Sequence, residues 1–341
     1  MGAKGGKMNP NNNNTLNESE LSDAKQVLTK ISEAYRKKVV GQDELRLSML
    51  VSLIAGGHIL LESVPGLAKT LAAKTIAEAV DGSFSRIQCT PDLLPSDIIG
   101  TQIYNYNSGK FETKVGPVHS NFVLLDEINR SSAKTQSAML EAMQERQVSI
   151  GGVRYEMPDP FLVIAPQTPI EQEGTYELPE AQLDRFLIKE IVNYPKRDEE
   201  LQVLNYTLNG QTTTAIDATQ KSSIEDVKRL QKYVKRVRVD DSIKSYILDI
   251  VYATRSPRSV IDANLAKYVE YGVSPRGAIA LMQVAQALAL INGRAYVTPD
   301  DVKRMRHAAL RHRIILNFEA AADDVHSEAI IDAIFSKIRT P

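Results

Sequence analysis

Two segments of this chain carry residue types that together can bind a nucleoside triphosphate and its metal ion. The first runs from an apolar stretch at 58–61 into a turn that ends in Lys69 and Thr70. A lysine at the start of a helix can reach the β- and γ-phosphates, and the threonine hydroxyl after it can ligate Mg²⁺. The second is the apolar run 122–125, which ends in Asp126 and Glu127. Because this aspartate can hold Mg²⁺ and this glutamate can polarise water, the two segments indicate a protein that uses ATP or GTP.

The turn before Lys69 predicts a phosphate cradle made of backbone N–H groups. Such groups at a helix N-terminus favour anions, and Gly66 lets the backbone come close to them. The predicted nucleotide-binding residues here are Val64, Pro65, Gly66, Leu67, Ala68, Lys69, Thr70 and Leu71. The strict pattern G-x-x-x-x-G-K-[ST] is not met, because Ser63 and Ala68 occupy its two glycine positions. The turn alone could be an ordinary strand–turn–helix, and it is Asp126 and Glu127 that favour the nucleotide site.

Short apolar runs alternate with helical patterns and predict an α/β fold. The predicted strands are 59–62, 84–89, 122–125, 161–165 and 186–192, and the predicted helices between them are 69–79, 133–144 and 180–184. This rhythm predicts a parallel five-stranded sheet between helices. In such sheets ligands bind at the carboxyl ends of the strands, where both signatures fall. Residues 148–155 alternate around Gly151 and Gly152 and predict a β-hairpin.

Composition shifts divide the chain into four parts. Residues 1–19 have little that can pack and predict a disordered tail, and residues 20–207 carry the α/β pattern. Residues 208–223 are polar and rich in Thr and Ser, and they predict a linker. Residues 224–341 have helical periodicity at 224–237, 241–253, 275–291, 299–310 and 320–336, so they predict a smaller all-α domain.

Charge and cysteine content exclude several classes of protein. The net charge of the 341 residues is −1, which gives no general attraction to nucleic acid or to an anionic membrane. No apolar run is long enough to span a membrane, and Cys89 is the only cysteine. These features predict a cytoplasmic protein for which nucleic acid is an unlikely partner. A basic segment from Lys303 to Arg313 contains His307 and His312, and its pattern predicts a solvated helix face rather than a metal site.

The motifs quoted so far belong to a longer set that resembles the MoxR family of AAA+ ATPases. The resemblance covers roughly residues 34–316 and rests on residues 40–42, 64–70, 90–97, 126–130, 140–148, 171–176, 178–186 and 274–276. In this family an alanine before the lysine is normal, so Ser63 is the only departure within the phosphate loop. The resemblance implies an AAA+ P-loop core followed by an all-α lid domain, with ATP and Mg²⁺ as cofactors.

The resemblance also implies a role for each matching residue. Val40, Gly41 and Gln42 would line the adenine pocket, and Thr70 and Asp126 would hold Mg²⁺. Lys69 would contact the phosphates, and Glu127 would be the base for attacking water. Arg185 would be the arginine finger that reaches the nucleotide of a neighbouring subunit, and Arg276, at the start of a lid helix, would be sensor 2. The implied assembly is a homo-oligomeric ring, most often a hexamer, that remodels client proteins, often with a von Willebrand factor A domain protein.

One departure concerns the residue that orients water. The family pattern after the fourth strand is Ala-Thr-Gln-Asn-Pro, whereas this chain has Thr168 in place of the asparagine. A hydroxyl is shorter than an amide and lacks its separate donor and acceptor, so hydrolysis is expected to be slow. Ser63 adds to this expectation, because its Cβ needs room and would constrain φ in the loop. Two alternatives to an ATP-driven remodeller therefore stay open: a nucleotide-switched scaffold with weak hydrolysis, and a nucleic-acid motor of the same class.

Overall fold

A computed structural model describes residues 15–168, 178–209 and 216–341. The first part of the chain forms seven helices and nine strands: α1 Glu18–Arg36, α2 Asp43–Ala55, β1 Ile59–Glu62, α3 Lys69–Ala79, β2 Phe84–Gln88, α4 Pro95–Ile99, β3 Gly100–Asn105, β4 Lys110–Val115, β5 Phe122–Asp126, α5 Ala133–Glu145, β6 Gln147–Ile150, β7 Val153–Glu156, β8 Leu162–Gln167, α6 Glu180–Leu183, β9 Ile188–Ile191 and α7 Arg197–Leu208.

The predicted five-stranded parallel sheet is confirmed. Its strand order is β2-β5-β8-β1-β9, and every pair within it is parallel. The three inner strands are almost fully buried because helices cover both faces, which is why they consist of near-continuous apolar residues. All five strands run in the same direction, so the sheet has one carboxyl edge and one amino edge, and this polarity decides where functional side chains can meet.

Two antiparallel hairpins project from the core. The predicted hairpin at 148–155 is confirmed as β6–β7, and Gly151 and Gly152 supply the positive φ values that its turn requires. The pair β3–β4 was not predicted from the sequence. Its side chains Tyr104, Tyr106 and Phe111 form an exposed cluster in which the rings are about 5.2 Å apart. Because those strands are exposed, their alternation of side chains produces no apolar face that a pattern search could detect.

The second part of the chain is helical, as predicted, with one short strand pair. Its elements are α8 Ile224–Arg236, α9 Asp241–Arg255, α10 Ala263–Ala266, β10 Val269–Tyr271, α11 Pro275–Ile291, α12 Pro299–Arg304, α13 Arg306–Leu310, β11 Ile315–Leu316, α14 Phe318–Ala322 and α15 Ser327–Lys337. The predicted helices 299–310 and 320–336 are each broken in two. The antiparallel pair β10–β11 was not foreseen. In the described part of the chain, no helix has the length and apolarity needed to cross a membrane.

The structure shifts two of the predicted boundaries. Helix α1 starts at Glu18, inside the predicted tail, because Asn17 and Glu20 form a capping box. Helix α7 reaches Leu208, a short helical turn follows at Ala218–Gln220, and α8 starts at Ile224 behind a second capping box. Residues 1–14 of the tail and 210–215 of the linker lie outside the described residues, so the division at these points stays a prediction.

Helix α1 joins the second domain to the first. Asp23 accepts two hydrogen bonds from the Arg229 guanidinium on α8, and Glu20 pairs with Arg236 on the same helix. At its other end α1 leads to Lys38, whose ammonium lies 2.5 Å from Glu78 on α3. The N-terminal helix, which was predicted as part of the core, therefore contacts both domains.

The basic segment 303–313 is not the solvated face that its sequence predicted. His312 and Arg313 are buried. The His312 ring donates to the backbone oxygen of Phe186, and burial beside Arg313 holds the pKa of His312 well below its ordinary value, so the ring is neutral. Arg313 reaches across to the core and pairs with Asp184 at 2.8 Å. The prediction failed because a helical charge pattern alone does not show that another domain covers it.

Candidate functional site

The predicted phosphate loop, residues 64–70, follows the carboxyl end of β1. Gly66 has a φ of 89°, and a Cβ placed there would meet no atom within 4 Å, so the loop is open above this glycine. Ala68 also has a left-handed backbone, with φ of 52°, and it precedes the first residue of α3 without a side-chain cap. An alanine in this conformation stores about 1–2 kcal/mol of strain. Strain of this kind is typical of backbone held in place to bind a ligand.

Ser63 is accommodated in the loop without backbone strain. Its side chain is buried, its φ is not positive, and its N–H donates to the backbone oxygen of Gln167 at the end of β8. The hydroxyl turns onto the Val64 oxygen at 3.1 Å. The serine thus fills a position for which the strict motif has glycine, and it ties the loop to a neighbouring strand.

The Lys69 ammonium is folded back onto the loop. It lies 3.4 Å from the Ser63 oxygen and 3.5 Å from the Val64 oxygen. Burial lowers the pKa of Lys69, and the carboxylates of Asp126 and Glu127 act in the opposite direction. Lys69 of the first signature is therefore close enough to Asp126 and Glu127 of the second to interact with their charges. The parallel sheet brings them together, because it places both at its carboxyl edge.

Asp126 ends β5, Glu127 follows it, and side chains of β2 contact both carboxylates. Glu127 has a left-handed backbone with φ of 58°, so the chain turns between Asp126 and Glu127. Arg86 lies 2.6 Å from Asp126 Oδ2, and Gln88 Nε2 donates to Glu127 Oε2 at 3.2 Å. Arg130 lies 3.4 Å from the same Glu127 oxygen. Each carboxylate thus has a partner of its own.

A second polar group connects the carboxyl ends of β1 and β8 to Lys189 in the first half of β9. Glu62 on β1 accepts from Lys189 on β9 at 2.7 Å and from Gln167 on β8 at 3.0 Å. Burial alone would raise the pKa of Glu62, but Lys189, Gln167 and Arg311 together bring it below its ordinary value, so the carboxylate stays charged. Thr168 follows Gln167 directly and is half-buried, at the same edge as Asp126 and Lys69.

Residues Val40, Gly41 and Gln42 also lie at this edge. The Gln42 side chain donates to the backbone oxygen of Asn193, just beyond β9, at 3.0 Å. Gly41 and Gln42 both have positive φ, and a Cβ on Gly41 would come within 2.6 Å of Glu199 on α7. The predicted adenine-binding segment is therefore next to the loop, and its left-handed backbone at position 41 favours glycine.

Arg185 and Arg276 lie away from the loop. They line one small cavity of about 190 Å³ together with His58, which immediately precedes β1. The loop follows the other end of β1, so the strand separates the two groups by about 10 Å or more. Burial, with Arg146 nearby, lowers the pKa of His58 to about 3, so this ring is neutral; its Nδ1 accepts from the Val163 N–H. Arg185 donates to the backbone oxygen of Leu140. This bond places the Arg185 side chain beside a second pocket, which α5 and the β6–β7 hairpin line.

The groups at the carboxyl edge suit ATP and Mg²⁺. The threonine hydroxyl of Thr70 and the carboxylate of Asp126 are hard oxygen ligands of the kind that Mg²⁺ prefers. Among residues 15–168, 178–209 and 216–341, no group of three His, Cys, Asp or Glu side chains could hold a metal ion by itself. A site of this kind leaves most coordination positions to phosphate and water, as is usual for Mg²⁺ bound with a nucleotide.

Sequence reasoning missed Arg86, Gln88, Glu62, Lys189 and the Asp184–Arg313 pair. A signal for the first two was present, because a charged and an amide side chain two residues apart share one face of a strand. It had meaning only once β2 was known to lie beside β5, with Gln88 opposite Asp126. Of the predicted site segments, residues 171–176 lie outside the described residues.

Comparisons with known proteins agree with this geometry. Residues 58–188 match the model of the family described as ATPase family associated with various cellular activities, and residues 261–334 match the AAA lid domain. The chain is 47% identical over 306 residues to Chaperone MoxR1 of Mycobacterium tuberculosis, covering 90% of this chain and 80% of that protein. It is 31% identical over 340 residues to Protein MoxR of Paracoccus denitrificans, covering 95% and 99%. A crystal structure of a proposed ATPase from Cytophaga hutchinsonii superposes with a TM-score of 0.85 at 45% identity, covering 95% of this chain and 98% of that one.

Replacing Lys69 by alanine tests the carboxyl-edge site directly. We expect the Lys69→Ala protein to lose the stabilisation that Mg²⁺-ATP gives the wild type, which is about 2.7 kcal/mol at 100 times the dissociation constant. Thermal unfolding with and without nucleotide measures it. Lys74→Ala is the matched control, because Lys74 lies on the same helix with its side chain exposed. A Lys69→Ala protein that is stabilised as much as the control would contradict the site.

Proposed function

The chain belongs to the MoxR family of AAA+ ATPases, and from this premise we propose that it forms a ring whose ATP hydrolysis drives the remodelling of client proteins. The observation that carries the proposal is the separation of functional side chains to opposite edges of one parallel sheet. Lys69, Thr70, Asp126 and Glu127 lie at the carboxyl edge, whereas Arg185 lies at the amino edge beside His58. An arginine so placed serves a nucleotide that another copy of the chain holds.

In the proposed site each side chain has one task. Lys69 and the N–H groups of the loop hold the phosphates, and Thr70 and Asp126 hold Mg²⁺, which supplies neutralising charge when bound. Glu127 accepts a proton from the attacking water, and the Thr168 hydroxyl orients that water. Arg185 of a neighbouring copy stabilises the negative charge that develops on the transferred group, an effect typically worth about 10³–10⁵ in rate.

Arg276 accompanies Arg185 rather than Lys69 in this arrangement. It starts α11 behind Ser274, whose hydroxyl donates to Asp184 at 2.8 Å. Arg185 follows Asp184 in the sequence, and Arg276 is held near Asp184 through Ser274, so both arginines lie next to the same short segment. We propose that they act as a pair on the same neighbouring nucleotide, so the lid takes part in that contact.

Support for a remodelling function comes from the relatives. One relative is named a chaperone, and it matches over 90% of this chain. The near-neutral charge argues against a nucleic-acid motor. We propose that contact with a client involves a separate protein, such as one with a von Willebrand factor A domain.

Mixing two inactive variants tests whether Arg185 acts between copies. Arg185→Ala lacks the arginine and Glu127→Gln lacks the base, so each alone should hydrolyse ATP poorly. A random equal mixture should regain activity, because about a quarter of head-to-tail interfaces would combine an intact Glu127 with an intact Arg185. Steady-state hydrolysis after mixing measures it. The control pairs Arg185→Ala with the Arg185→Ala/Glu127→Gln double variant, which restores no interface; full wild-type activity of a demonstrated monomer would contradict the ring.

Thr168→Asn tests the proposal that the native threonine limits hydrolysis. We expect a higher kcat with little change in KM, because an amide would add a contact to water that matters mainly in the transition state. Thr168→Val, which removes the hydroxyl at nearly constant shape, should lower kcat further. Both kcat and KM come from steady-state hydrolysis measured over a range of ATP concentrations, at a protein concentration at which the ring is assembled. A wild type that turns over quickly and is slowed by Thr168→Asn would show that the site is built around threonine, and it would remove the main support for a weakly hydrolysing switch.

Capture of partners by the Glu127→Gln protein tests the remodelling function. This variant should bind ATP without hydrolysing it and therefore hold a client or accessory protein in the ATP-bound state. We expect at least one protein to be enriched with ATP over ADP, and to be lost with Lys69→Ala. Mass spectrometry of tagged complexes identifies it. Equal recovery with ATP, with ADP and with Lys69→Ala would contradict nucleotide-driven binding, and a recovered nucleic acid that is released by salt would favour the motor instead.

A further inference from the structure

Asp126, the side chain proposed to hold Mg²⁺, already has a cation beside it. The Arg86 guanidinium lies on the neighbouring strand with Nη2 2.6 Å and Nε 3.1 Å from the same oxygen, Asp126 Oδ2. The side chain of Asp126 is 18% exposed and that of Arg86 is 50% exposed. The carboxylate is therefore mostly buried, whereas the arginine that neutralises it stands at the surface.

The same arginine is connected to the proposed base. Arg86 Nη2 donates to Gln88 Oε1 at 2.9 Å, and Gln88 Nε2 donates to Glu127 Oε2 at 3.2 Å. Because Arg86 and Gln88 are two residues apart on β2, they share one face of the strand and can follow each other's movement. One chain of hydrogen bonds thus runs from Asp126 through β2 to Glu127.

Two cations cannot use one carboxylate oxygen at full strength. We propose that Arg86 is a positioning residue that occupies Asp126 until Mg²⁺ arrives with the nucleotide. The proposal rests on the nucleotide site proposed above. It adds to that site a threshold, because the metal competes with a side chain of the same chain for Asp126.

The position of Arg86 suits a competitor that can be displaced. Strand β2 is the last in the order β2-β5-β8-β1-β9, so the arginine lies at an edge of the sheet. Because the guanidinium is half exposed, solvent and salt screen its attraction to Asp126, and the pair is weaker than a fully buried one. Such a pair raises the Mg²⁺ concentration that is needed to occupy Asp126, but it does not prevent Mg²⁺ from binding there.

The inference is tested by the Mg²⁺ dependence of ATP binding rather than by turnover. Thermal unfolding at fixed ATP is followed while Mg²⁺ is increased, for the wild type and for Arg86→Gln. The Mg²⁺ concentration at half-maximal stabilisation should fall about 1.4- to fivefold in Arg86→Gln, which is the fold-change for an ion pair worth about 0.2–1 kcal/mol. Arg86→Lys keeps the charge without the two-pronged guanidinium and should lie between the two. Arg238→Gln is the matched control, because Arg238 is also an exposed arginine and it pairs with Asp240 at 3.1 Å, away from the proposed site.

The possible results separate this inference from the proposed site. An Arg86→Gln midpoint that is equal to or higher than that of wild type would overturn the competition, since Arg86 would then be aligning Asp126 for the metal. A wild type that ATP fails to stabilise at any Mg²⁺ concentration would overturn the nucleotide site and this inference with it. If Arg86→Gln unfolds at a much lower temperature without nucleotide, the midpoint of Arg86→Lys decides: a lower value than wild type supports competition, and an equal or higher value overturns it.

Discussion

Arg313 is a lid residue whose guanidinium is buried against the core, where it pairs with Asp184. The side chains are 3% and 17% exposed, and the five N–H groups of Arg313 contact Asp184 and the backbone oxygens of residues 184, 186, 187 and 309. Arginine has five such donors, so every one is used. Gly277 on α11 makes the space, because a Cβ there would approach the Arg313 side chain to 2.9 Å. Removing one member of such a buried pair typically costs about 3–5 kcal/mol, since the other charge is left without a partner.

The placement of Arg185 depends on that ion pair. Asp184 receives Arg313 and the Ser274 hydroxyl, and the next residue is Arg185. If the lid moved away from the core, Arg313 and Ser274 would pull on Asp184 and so on the neighbouring Arg185. Arg276, which is part of the lid, would move with it. The buried pair contributes little net stability, because desolvation offsets most of its attraction, but it fixes one orientation of lid to core. It thereby couples any lid movement to the edge of the sheet opposite the nucleotide.

Much of the carboxyl edge could be predicted from the sequence, because that edge is built from consecutive residues. The loop 64–70, helix α3 and the end of β5 are local, and strand polarity alone brings them together. The resemblance to a known family added Val40–Gln42, Arg185 and Arg276 as individual positions. What the sequence could not show are contacts between distant segments. His312 and Arg313 carry the charge pattern of a solvated helix, and their burial follows from domain docking. Arg86 acquires its partner only through the pairing of β2 with β5, and the exposed hairpin β3–β4 leaves no apolar pattern.

The two departures from the family pattern affect different steps of the reaction. Ser63 is buried, unstrained in φ and hydrogen-bonded to Gln167, so the loop keeps its shape and phosphate binding does not depend on a glycine there. Thr168 directly follows β8, and its proposed role is to orient the attacking water. Strain in the loop is concentrated at Ala68, which the family shares, and is offset when bound phosphates use the N–H groups it presents. In the proposed site, phosphate binding and the rate of hydrolysis would therefore depend on different residues, so ordinary ATP affinity is compatible with slow turnover.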